Sequence, residues 1–135
     1  MMTVTLQLPE HLLLRLQQVA QATRQSLNDV FVRVVQTGSP PDWQDVPAEF
    51  QADLADLDRL DDASLWRIAR AHQSEREARN YQALLEKNAN DTLSEIERNL
   101  LQTWRADADR FMLRKAHAAA LLRWRGHHIP PADVL

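Results

Sequence analysis

From Thr3 to Leu8 the chain alternates strictly, with Val4, Leu6 and Leu8 on one face and Thr3, Thr5 and Gln7 on the other. A period of two predicts a strand. Pro9 stops it and suits the start of a helix. From Glu10 the period changes, and Leu12, Leu16, Val19, Ala20 and Thr23 recur at helical spacing. A short break at Arg24-Gln25 leads to Ser26, a good helix cap. Leu27, Val30, Phe31 and Val34 then carry a second helix to Thr37-Gly38. The Val30–Val35 run also has high β propensity, so a strand competes there. The cap, the period and the terminal glycine favour helix.

Ser39-Pro40-Pro41 interrupts the pattern, because consecutive prolines cannot continue a helix. Beyond it every segment reads as helix. Pro47 opens one through about Leu60, with Phe50, Leu54 and Leu57 on one face. Asp61 or Asp62 caps a short one carrying Leu65, Trp66, Ile68 and Ala69. Ser74-Glu75-Arg76-Glu77 and Thr92-Leu93-Ser94-Glu95 both have the form of a capping box. The second opens an unbroken segment to Arg125, with Leu93, Ile96, Leu100, Trp104, Ala108, Phe111, Ala118 and Leu122 expected along one stripe. Gly126 stands where a C-terminal cap would sit. The expected division is residues 1–38, a linker at 39–46, a helical region at 47–126, and a tail at 127–135.

Composition narrows the class. An apolar fraction of 44% with 26% charged is that of a globular chain. No apolar run approaches the length that spans a bilayer, and the first residues lack the form of a signal peptide, so a cytoplasmic location is expected. Without cysteine there is no disulfide, thiol nucleophile or thiolate metal site. The net charge of -3 argues against bulk coating of nucleic acid. The charges are segregated, however: Pro41–Leu65 holds eight acids against Arg59, and Arg98–Arg125 holds seven bases against Asp107 and Asp109. An acidic belt and a basic helix imply contacts within the protein or with a charged partner.

A lone strand needs a mate for its backbone donors and acceptors. The same strand from a second copy would supply one across a two-fold axis, burying Val4, Leu6 and Leu8 and turning Thr3, Thr5 and Gln7 outward. A two-stranded ribbon fits the DNA major groove. Strand, helix from Pro9-Glu10, polar break, then Ser26-Leu27-Asn28-Asp29 opening a second helix resembles the ribbon-helix-helix family over residues 2–38. The resemblance implies a homodimer, with Thr3, Thr5 and Gln7 reading bases. Ser26 and the backbone amides of Leu27 and Asn28 would then hold a phosphate of the operator DNA, which helix-end physics also supports. The family usually has glycine in the break where this chain has Arg24, and the ribbon lacks the lysine or arginine that many members place among the readers. The expected fold class is therefore mainly α, a ribbon-helix-helix unit followed by an all-helical region with a long final helix.

Members of the family with such extensions are often antitoxins, whose C-terminal part blocks a toxin, on family grounds a nuclease. Here Arg110, Arg114, Lys115, Arg123 and Arg125 alternate with Phe111, Met112, Leu113, Leu121, Leu122 and Trp124. Of these, the five bases with Phe111, Leu122 and Trp124, together with Trp104, form the expected partner-binding set, since Trp and Arg often anchor interfaces. The acidic stretch Asp42–Asp62 could mimic phosphate in a basic groove, or an arginine could enter a carboxylate-rich metal site. The alternative class is a helical adaptor that uses the N-terminal unit only to dimerise. An enzyme is not expected: the five histidines show no His-x-x-x-His or Glu-x-x-His spacing, and no phosphate loop or nucleophile elbow occurs. Neither catalytic residues, metal ligands nor cofactor are expected, and the His127-His128 tandem alone hints at a weak metal site.

Overall fold

The computed structural model describes residues 2–135, which form six helices: α1 Glu10–Thr23, α2 Leu27–Gly38, α3 Ala48–Leu57, α4 Asp62–Ala69, α5 Glu75–Ala89 and α6 Glu95–Trp124. They divide into two compact units, Met1–Pro40 and Pro41–Leu135.

The expected strand is absent. Among the described residues there is no strand or sheet, and Thr3–Leu8 carries no ladder. Alternation creates two faces, but a strand exists only where another extended segment exchanges backbone hydrogen bonds with it, and this chain offers none. Its intended core side stays open, with Val4 at 76% and Leu6 at 65% exposure. The ribbon-helix-helix fold is thus corrected to an all-helical one. Val30–Val35 lies within α2, started by Ser26, whose Oγ accepts from the Asp29 amide at 3.0 Å.

In the first unit α1 and α2 pack on each other, and among the described residues only Ala20 and Val30 are buried. Arg24 closes α1 in the left-handed region at φ 54°, ψ 40°. Its amide reaches the Gln21 carbonyl at 3.3 Å while the Gln25 amide reaches that of Ala20 at 3.0 Å. This paired closure is the one that glycine normally makes, since Cβ is crowded there.

In the second unit α6 is the spine, about 45 Å long at 1.5 Å per residue. Its C-terminal half contributes Ala118, Leu121 and Leu122 to a core with Leu54 and Leu57 of α3 and Leu65 and Ala69 of α4. Trp43, Val46 and Ile129, from the segments flanking the helices, pack against the same core. Its N-terminal half packs Leu101 and Trp104 with Leu84, Leu85 and Tyr81 of α5 and Leu93 of the preceding turn. The single stripe expected along this helix packs only in part: Leu93, Trp104, Ala118 and Leu122 join the two cores. Ile96 is 80% and Leu100 39% exposed, while Leu101, off the expected stripe, is buried against α5.

Caps fix the ends. Asp61 and Ser74 cap α4 and α5. The capping box of α6 lies at Ser94–Glu97, two residues later than the expected Thr92–Glu95. Thr92 is already used: with Asp91 at φ 56°, the Thr92 amide closes α5 onto the Lys87 carbonyl. At the far end Gly126, φ 99°, lets His127 return its amide to Leu122 at 3.0 Å, which turns the chain back toward α4.

Two stability predictions follow from these contacts. Leu122→Ala, in a site with no accessible surface, should cost about 2–5 kcal/mol in urea unfolding, as for other buried leucines. Arg24→Gly should raise the stability of the first unit by roughly 1 kcal/mol, because it relieves the left-handed residue. An unchanged or lower midpoint would contradict the strain.

Candidate partner-binding site

The acidic and basic segments meet inside the second unit. Arg110 Nε donates to Asp53 at 2.7 Å and its guanidinium lies over Phe50. His117, itself buried, donates Nε2–H to Asp58 at 2.8 Å, and Trp43 Nε1 donates to the other oxygen at 2.9 Å. Arg125 donates to the Leu60 carbonyl and to Asp62, both at 2.8 Å. His127 completes Asp62 at 2.7 Å, its ring edge-on to Trp66. Lys115 donates to the Ala71 carbonyl at 2.8 Å. These bonds tie α6 and the turn after it to α3, α4 and the segments at their ends; the group that burial would leave costly without its partner is His117. They also set the register of the three helices.

Three carboxyls are held below their ordinary range. Asp62 is lowered by hydrogen bonds from Arg125 and then His127, Asp61 by Ser64, and Glu97 by Lys87 and then the Ser94 amide.

The nine residues expected to bind a partner are accordingly distributed over several tasks. Leu122 is core; Arg110, Lys115 and Arg125 have the intramolecular bonds above. Arg123 is exposed, Trp124 half-exposed and Arg114 half-buried near that end of α6. Trp104 and Phe111 line a cleft of about 440 Å³ where the turn before α5 crosses the middle of α6. His72, Glu77, Tyr81 and Asp107 share that lining. None of these four was among the residues expected to bind a partner. A second hollow of about 510 Å³ adjoins it along α6, lined chiefly by Phe111, Met112, Ala116, Ala119 and Leu135. The groove exists because α5 covers only the first half of α6. His117 was also missed as a structural residue, although its spacing of seven from Arg110 places both on one helix face.

In the first unit Thr3, Thr5 and Gln7 are exposed, and Leu8 is half-buried. The Ser26 hydroxyl caps Asp29, and the Asp29 carboxylate stands in the same first turn as the Leu27 and Asn28 amides. An acid there competes with a phosphate for the helix end. Along α1, Leu12, Leu16, Val19 and Ala22 line an open shallow surface.

Among the described residues no group of three acidic, histidine or cysteine side chains is placed to hold a metal ion. None of their helices is long and apolar enough to cross a membrane. No family model, curated protein or solved structure matches the chain.

The lowered Asp62 gives a pH signature. A carboxyl depressed in the folded state contributes stability above its unfolded value, and that contribution disappears as pH falls through the folded one. The urea midpoint should therefore fall below about pH 4. Asp62→Asn should lower the midpoint at neutral pH and flatten its acid dependence; a wild-type slope in the variant would remove this role.

Proposed function

We propose that this chain is the binding half of a toxin–antitoxin pair: a cytoplasmic homodimer that holds a toxin, on family resemblance a nuclease, with its helical second unit. The observation that carries the reading is the unfinished core of the first unit. Ala20 and Val30 are its only buried residues among those described, while Leu12, Leu14, Val19, Val32, Val34 and Val35 are exposed on its two helices. A unit of this size without disulfide or metal needs oligomerisation to complete a core. The amphipathic faces of α1 and α2 suit a second copy of themselves, and the contact proposed is helix against helix. The groove on α6 supports the other half of the reading, since exposed aromatic clefts favour partner binding over internal packing.

Operator binding belongs to the same proposal through the exposed Thr3, Thr5 and Gln7, which no ribbon presents, while the Asp29 carboxylate disfavours a phosphate at the amides of Leu27 and Asn28. The thin basic footprint of residues 1–40, with Arg15, Arg24 and Arg33 against Glu10 and Asp29, favours the adaptor as second reading.

Light scattering should give a dimer for wild type and a monomer for Leu12→Glu/Val19→Glu; a monomeric wild type would refute the dimer. A gel shift on the chain's own upstream DNA should weaken with Thr3→Ala/Thr5→Ala/Gln7→Ala. A protein that shifts no DNA yet co-purifies with its neighbour-encoded toxin is the adaptor.

A further inference from the structure

We infer that the cleft between the start of α5 and the middle of α6 receives an arginine side chain from a basic amphipathic segment of the partner. This deepens the reading of the second unit as a toxin-binding domain and rests on it. The cleft combines three aromatic rings, Tyr81, Trp104 and Phe111, with the carboxylates of Glu77 and Asp107. Aromatic faces attract a guanidinium through the ring quadrupole, and arginine stacks on them more readily than lysine does. The two acids supply the countercharge and outweigh the roughly half positive charge at the N-terminus of α5.

Arg110, the base paired with Asp107, makes its closer contact elsewhere. Arg110 places its Nε on Asp53 at 2.7 Å, and its Nη1 reaches no closer than 3.8 Å to Asp107. The Asp107 side chain keeps 62% of its exposure. Lys115, in the adjoining hollow, is tied to the Ala71 carbonyl. That hollow shares Phe111 with the cleft and is otherwise largely apolar, through Met112, Ala116, Ala119 and Leu135. An apolar residue one helical turn from the arginine would fill it. Charge complementarity and the apolar neighbour together specify the occupant as an amphipathic helix carrying arginine, the kind of segment that lines a basic nucleic-acid groove.

The test uses the full-length protein and a short amidated helix-forming peptide of leucine and arginine, with a leucine–glutamate peptide as control. Fluorescence anisotropy should show binding of the arginine peptide only, weakened about tenfold by Glu77→Gln/Asp107→Asn and unchanged by Asp45→Asn/Asp56→Asn. The Trp104 indole N–H resonance, assigned with Trp104→Phe, should shift on titration. Equal weakening by both acid pairs would reduce the effect to net charge and overturn the inference, as would a static Trp104 signal. Loss of the dimer in Glu77→Gln/Asp107→Asn would assign the cleft to a second copy instead. If the toxin co-purifies undiminished with that variant, the cleft is wrong and the toxin reading stands. If no toxin co-purifies but the peptide binds at Trp104, the cleft stands and the toxin reading falls.

Discussion

Leu122, with Ala118 and Leu121 beside it, is where α3 and α4 meet the last helix, and the second unit depends on that packing. α3, α4 and α5 each pack on α6 and make little contact with one another. Without the α6 face the remaining helices have no common core. Nonpolar burial supplies the attraction but little direction. Direction comes from the hydrogen-bonded pairs that run along the contact from Asp53 to Asp62, each matched to a position on α6 or just beyond it. The end of α6 is tied to the start of α4, since Arg125 before the turn at Gly126 and His127 after it converge on Asp62.

This arrangement creates the groove as a consequence. A helix of thirty residues is longer than the fifteen of α5 that covers its first half, and α3 and α4 pack on the C-terminal part of its second half. The middle of α6 therefore keeps part of its aromatic and apolar side chains within reach of solvent. The first unit has the opposite problem. Its two helices are amphipathic but short, and a pair of helices brings only one line of contact to a core, so by itself the pair leaves its outer apolar faces uncovered.

Local chemistry was legible in the chain. Ser26, Asp61 and Ser74 mark helix starts because their side chains satisfy amides that the helix leaves unpaired, an effect confined to a few neighbouring residues. The segregation of acids before residue 65 from bases after residue 98 carried real information about an internal contact, and the spacing of Arg110 and His117 was enough to place both on one face. The cleft was not legible. Glu77 and Tyr81 of α5 and Asp107 of α6 come from separate segments, and nothing in the period of either helix says that their faces converge.

The N-terminal alternation and the long final stripe show where sequence patterns stop. From the chain alone came the helix periods, the caps and the charge blocks, which are set by neighbours within a turn or two. The tertiary structure alone decided that Thr3–Leu8 forms no strand here, because a strand is a property of two segments and this chain supplies one. It likewise decided that Leu101, rather than Leu100, is buried, because the face of a helix that becomes core is chosen by what packs against it.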